Sequence, residues 1–174
     1  MSILTNGDIL KEIKDGNIII NPFNPDNIGP ASIDLHLGNY FRRFLHTHKV
    51  LPIKDDVDYK SYTEKIFVSD EEGLILLPNE TVLAITREHL TTASHIGGWL
   101  EGRSRFARLG LLVHVSASFM QPGLSNKQVL EIMNCSGRAL ELYPGTKICQ
   151  FIFQYCSGKA SYAGQFATQD EETF

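Results

Sequence analysis

Three cysteines, with no CxxC among them, are too few and too odd in number for a disulfide framework or a zinc knuckle. Apolar runs are short: stretches such as 74–77 and 110–113 fall far below the roughly 20 residues that span a bilayer as a helix. The opening MSILTNGDILKEIKDG acquires charge at once and lacks a signal-peptide apolar region, so a cytoplasmic protein with reduced thiols and no membrane segment is expected. Positive charge is not in excess. Sixteen Lys and Arg against twenty Asp and Glu give a net charge of −4, which argues against a general nucleic-acid binder. The patterns GxxxxGK[ST], HExxH and GxSxG do not occur, which sets aside P-loop hydrolysis, zincin chemistry and a serine-hydrolase elbow.

What remains is ordinary for one soluble domain: 174 residues, 43% hydrophobic and 21% charged, with no internal repeat, low-complexity tract or linker. Residues 5–15 predict a short helix capped by Thr5 or Asn6, with Ile9, Leu10 and Ile13 on its apolar face and Gly16 as its stop. After a strand at 17–20 and a Pro/Asn turn cluster, Ile33, Leu35 and Leu37 alternate with Ser32, Asp34 and His36. That is a half-buried strand ending at Gly38, followed by a second strand at 40–45 and a polar loop. Eight further runs, at 66–69, 74–77, 81–86, 96–100, 111–115, 128–134, 139–142 and 147–153, fit short strands. Breaks at Pro78-Asn79, Pro122-Gly123, Ser136-Gly137 and Pro144-Gly145 punctuate them, so the pattern predicts an all-β sandwich or barrel. The segment after Gly158 has no core periodicity and is expected to lie over a surface or a neighbour.

Two features carry chemistry. Arg103, Arg105 and Arg108 fall within six residues beside Ser104, either an exposed turn or a clamp for a phosphorylated ligand, whose oxygens pair with planar guanidiniums. Glu131 interrupts a strand-like run. If Leu130 and Ile132 face one way, Val129, Glu131 and Met133 face the other, leaving Glu131 either solvent-facing or a general acid/base in a pocket. Asp34 reads as a turn or surface acid, a partner for an arginine, or a catalytic carboxylate. His46-Thr-His48 is a weak metal signal in a polar loop.

These residues resemble a known family. Pro30–Gly38 (PASIDLHLG), Gly98–Gly102 (GWLEG), Gly102–Leu111 (GRSRFARLGL), His114–Ala117 (HVSA), Pro122-Gly123, Val129-Leu130-Glu131 and Pro144–Gln150 (PGTKICQ) are similar, in order and nearly throughout, to the dCTP deaminase family, relatives of the trimeric dUTPases. The resemblance implies one domain over 1–174, a distorted jelly-roll β-barrel of the dUTPase-like type, with 159–174 as a candidate C-terminal lid. It further implies a homotrimer with sites at subunit interfaces, dCTP and dUTP as ligands, dTTP as a candidate inhibitor, and Mg²⁺ held by the triphosphate instead of a protein metal site. The zinc-deaminase signature, H-x-E then P-C-x-x-C, is absent, so the expected deamination is zinc-free. Carried over by motif, Glu131, Ser104, Arg108 and Ala117 are the catalytic set. Substrate contacts fall on Arg103, Ser104, Arg105, Phe106, Ala107 and Arg108, on Gln121, on Val129, Leu130 and Glu131, and on Tyr162, Gln165 and Gln169.

Three positions depart from the family pattern. Arg105 stands in place of a second serine, Gln165 in place of a tail lysine, and Gln121 in place of an aspartate before Pro-Gly. A neutral amide is a poor base for activating water, so the expectation is deamination of dCTP to dUTP and ammonia without phosphate cleavage. The alternatives are a bifunctional enzyme that continues to dUMP and pyrophosphate, and a non-catalytic dNTP-binding homologue.

Overall fold

A computed structural model describes residues 2–47 and 50–174, which leaves His48 of the HxH pair outside the described residues. The chain runs α1 (Asn6–Lys14), β1 (Ile18–Asn21), β2 (Ile33–Phe44), β3 (Thr63–Phe67), β4 (Leu74–Leu76), β5 (Thr81–Thr92), β6 (Ile96–Gly102), α2 (Ser104–Ala107), β7 (Leu111–Val113), β8 (Phe119–Met120), β9 (Ser125–Asn134), β10 (Leu140–Leu142) and β11 (Lys147–Tyr155). Short 3-10 turns lie at Pro25–Asn27 and Tyr59–Tyr62.

Thr5 caps α1, its N–H and hydroxyl both donating to the Asp8 carboxylate at 3.1 and 2.8 Å. The expected apolar face is only partly right. Ile9 is fully buried and Ile13 packs on the core, but Leu10 is 47% exposed. Glu12 is buried in its place, accepting from Asn17 Nδ2 and the Tyr155 hydroxyl, each at 2.7 Å. A carboxylate can be buried there because it is hydrogen-bonded on both oxygens.

The fold is mainly β, as the short-strand pattern predicts. A nine-stranded sheet runs β7-β9-β5-β2-β11-β6-β8, with β1 added to β5 and β3 to β2, while β10 and β4 form a separate pair. It wraps a single large core to which Ile33, Leu35, Phe41, Leu130, Ile132, Phe151 and Phe153 contribute, each buried to about 1% exposure or less. Side chains of this size stabilise by about 1.5–3 kcal/mol each when removed from water.

Gly38 does not end a strand. Residues 33–44 form one strand, and at Gly38 the backbone of β5 comes close to β2; a Cβ there would lie 2.5 Å from the Ile85 carbonyl oxygen. The β2–β5 register slips between Leu37 and Phe41, and that bulge interrupts the alternation that suggested two strands. β5 likewise runs beyond the predicted 81–86, because its charged residue Glu88 is buried against His36.

Candidate functional site

The site is organised by β9. Leu130 and Ile132 enter the main core, and alternation turns Val129 and Glu131 to the opposite face, where Leu83 of β5 lies directly across from Glu131. On that face opens a cavity of about 490 Å³ whose lining includes Glu131, Val129, Ala117, Gln121, Tyr162 and Gln169. These six candidates, drawn from residues 117–131 and from the C-terminal segment, therefore share one concavity. Gly123, with φ 70°, makes the turn after Gln121-Pro122, and a Cβ there would press on the backbone of Ala160 and Ser161, where the C-terminal segment passes.

His114 completes the acid. It is buried, holds φ 52° in the left-handed region that non-glycine residues seldom adopt, and donates its N–H to the Glu131 carbonyl at 2.8 Å. Its Nδ1 stands 2.8 Å from Glu131 Oε2; both atoms are buried, and among the described residues neither has a hydrogen-bond partner of good geometry. Its Nε2 lies 3.0 Å from the Ala117 carbonyl oxygen. A carbonyl only accepts, so Nε2 carries a hydrogen and Nδ1 is the ring nitrogen that faces the carboxylate. Burial pushes the Glu131 carboxyl up, but contact with His114 and its charge outweigh that and hold it below its ordinary value. The result is a carboxyl group favoured in its ionised form beside a buried imidazole, in a pocket walled by aromatic rings such as Phe119, Tyr59 and Phe166.

The arginine segment lies elsewhere on the protomer. Arg103 caps α2 and is ion-paired to Asp34 at 2.7 Å, with Lys147 at 4.0 Å, which selects the arginine-partner reading of Asp34. Ser104, Arg105, Ala107 and Arg108 are exposed, and Phe106 packs against the core. None of residues 103–108 lines the Glu131 cavity, and among the described residues no arginine or lysine does. Leu130 also departs from expectation, its side chain being turned into the core away from the pocket. Gln165 lines a neighbouring hollow with Tyr59 and Phe166.

Sequence reasoning missed His114 as the partner of Glu131, because the contact depends on a backbone conformation with no local signature. It also missed Gln128 and Asn126, two buried amides in the cavity wall that bond to each other at 2.6 Å. Among the described residues no three His, Cys, Asp or Glu side chains converge as a metal site.

A family model described as dCTP deaminase-like matches residues 3–156. A Corynebacterium glutamicum protein named "dCTP deaminase, dUMP-forming" is 38% identical over 174 residues, covering 94% of this chain and 92% of that protein. A protein of the same name from Methanosphaera stadtmanae is 37% identical, covering 88% of this chain and 79% of its own length. The crystal structure of 2'-deoxycytidine 5'-triphosphate deaminase from Agrobacterium tumefaciens superposes with a TM-score of 0.69 at 19% identity. It matches 88% of this chain, and this chain covers 48% of that one, so the likeness is one of fold. The relatives' names overturn the expectation of a deaminase that stops at dUTP, since the product they specify is dUMP. The physical inference behind that expectation was too narrow: an amide at position 121 is a poor base, yet it can still orient a water or a hydroxyl through hydrogen bonds. On the match over residues 3–156 and on these relatives, the chain belongs to the dCTP deaminase-like family of enzymes.

Proposed function

We propose that this protein converts dCTP to dUMP, releasing ammonia and pyrophosphate, with Glu131 as the acid/base of the deamination. The observation that carries this reading is the Glu131–His114 pair, 2.8 Å apart in the wall of a cavity that also holds Ala117, Gln121 and Val129. Water adds to C4 of cytosine as Glu131 takes its proton and passes it to N3, giving a neutral tetrahedral adduct. A second proton transfer through Glu131 lets the amine leave as ammonia. His114 supports each step by holding the carboxylate in its charged form and orienting it. The ring is itself fixed by the Ala117 carbonyl, so little reorganisation is needed as charge moves. In the second reaction, water attacks the phosphorus nearest the sugar and pyrophosphate departs. Gln121, in the same cavity, orients groups there without removing a proton.

The triphosphate needs cations that the cavity does not supply. Residues Ser104, Arg105 and Arg108 are exposed and apart from it, an arrangement that favours a homotrimer in which one subunit's arginine segment serves a neighbour's pocket. Mg²⁺ bound to the triphosphate would neutralise part of its charge. The nucleotide's phosphate oxygens would be its principal ligands. dTTP shares the triphosphate and a pyrimidine and would compete for the same cavity. Three free thiols suit a cytoplasmic location, and no helix among the described residues is long and apolar enough to cross a membrane.

The test is to incubate the purified protein with dCTP and Mg²⁺ and resolve the products with time. dUMP, pyrophosphate and ammonia in equal amounts are expected. Accumulating dUTP would remove the second reaction, and unchanged dCTP would remove both.

A further inference from the structure

The segment after Gly158 lies across the cavity and is held at its far end by one buried residue. In residues 157–174 only Phe174 is buried, at 1% exposure, and it lies beyond the stretch matched by the family model. It enters a small second core on the face of β5 and β9 that carries Glu131, packing with Leu83, Ile85, Val129, Tyr40 and Tyr59. Two of these residues bear directly on the site, since Leu83 pairs with Glu131 and Ile85 with Val129. Arg42 secures the same end, donating to the Phe174 carbonyl oxygen at 3.0 Å with its guanidinium 5.6 Å from the ring centre.

Between that anchor and the cavity, the segment lies along an edge of β9. β7 covers β9 only opposite Ile132, Met133 and Asn134, which leaves the first half of that edge without a paired strand among the described residues. Lys127 and Gln169 fill it reciprocally. The Lys127 N–H donates to the Gln169 carbonyl at 2.9 Å, and Gln169 Nε2 donates to the Lys127 carbonyl at 3.0 Å. Asn126 Nδ2 donates to the Phe166 carbonyl at 2.7 Å, and the Lys127 ammonium is paired with the Glu171 carboxylate. Tyr162, Phe166 and Gln169 then line the cavity. All of these anchors join protein to protein, so their strength does not depend on what fills the cavity.

We infer that Phe174 is a positioning residue for the nucleotide site: its burial docks the C-terminal segment on β9 and thereby sets Tyr162, Phe166 and Gln169 as the cavity's roof. The polar contacts of the segment are part-buried and replace bonds to water at a modest net gain each, whereas the buried phenyl ring is its largest single source of docking energy. For its kinetic consequence this inference rests on the dCTP reading above, while its structural part stands without it.

The Lys127 amide is the natural reporter, because the tail supplies its acceptor. Hydrogen exchange on the protein without nucleotide should show the Lys127 amide exchanging about tenfold or more faster in Phe174→Ala than in the wild type. Phe174→Leu should restore most of the protection, and Arg42→Gln should lose part of it. In parallel, Phe174→Ala should raise KM for dCTP by about tenfold and change kcat much less, since it weakens the roof without touching Glu131. Unchanged Lys127 exchange in Phe174→Ala would overturn the docking role. Faster exchange with unchanged KM would overturn the positioning role. A wild-type protein that ignores dCTP but shows the exchange difference would refute the proposed reaction and leave the docking intact.

Discussion

Glu131 Oε2 and His114 Nδ1 face each other at 2.8 Å, while the other nitrogen of the same ring is held 3.0 Å from the Ala117 carbonyl. The imidazole thus links the acid to the backbone of the segment that precedes Gln121. Removing charge from one end of this link has a different consequence from removing the link itself. Glu131→Gln keeps the shape but cannot accept a proton, so ammonia release should fall to background while dCTP binding, read by calorimetry, changes by less than about tenfold. Retained turnover would take Glu131 out of the mechanism.

His114→Asn addresses the link. Asparagine tolerates the left-handed backbone that His114 occupies at φ 52°, so the turn survives while the ring is lost. In the wild type the Glu131 carboxyl sits below its ordinary 4.5, and the acid limb of the deamination rate should lie below that value too. Without the imidazole, burial is opposed only by the smaller effect of a backbone hydrogen bond, so the pKa rises. The limb should therefore move to higher pH in His114→Asn, and kcat at neutral pH should fall by about 10²-fold or more. An acid limb that stays in place would show that His114 does not tune the acid.

The separation of residues 103–108 from the cavity makes a prediction about subunits. If one protomer supplies Glu131 and a neighbour supplies Arg108, then Arg108→Ala and Glu131→Gln, each inactive alone, should complement when mixed and reassembled. A complete site then needs its acid from one variant and its arginine from the other, so random equal mixing should restore about one quarter of wild-type activity. No recovery, with mixed oligomers verified by mass, would place both halves of the site in a single chain.

Which parts of this were legible beforehand follows from how local each signal is. The two faces of β9 could be read directly, because alternation is a property of neighbouring residues, and Glu131 was correctly set opposite Leu130. The Asp34–Arg103 pair was one of three open readings, since nothing nearby in sequence says which cation an acid meets. Gly38 reads as a turn in the sequence because a glycine needed for close strand approach looks there like one needed for bending. Phe174 was invisible. A lone aromatic in a polar segment has no period, and its pocket is assembled from β2, β5, β9 and the Tyr59–Tyr62 turn.

The buried Glu12 offers a test of the scaffold apart from the chemistry. The Tyr155 hydroxyl donates to Glu12 at 2.7 Å, and this bond, with burial and the negative charge, pushes the phenol up from 10.0 to about 12. A raised folded pKa contributes stability that is complete below the unfolded value and is lost as pH rises through the folded one. The contribution should therefore be constant up to about pH 10 and fade between about pH 10 and 12. Tyr155→Phe should lose about 1–3 kcal/mol at neutral pH by denaturant titration and should flatten that alkaline decline. An unchanged alkaline decline would assign it to other groups.

Gln121 is where sequence reasoning and the relatives' names disagreed, and it can be decided directly. The side chain lines the Glu131 cavity, so it is placed to touch the nucleotide, and as an amide it can hold a hydroxyl or a water without removing a proton. Gln121→Leu removes both functions at similar volume. It should raise KM for dCTP by about tenfold, as expected for one lost hydrogen bond to a substrate hydroxyl. It should also slow pyrophosphate release more than ammonia release, so that dUTP appears as an intermediate. Gln121→Asp puts a base at that position and should leave ammonia release near wild type. If Gln121→Leu instead slows both products equally, position 121 anchors the nucleotide alone, and the water for phosphate cleavage is oriented by other groups.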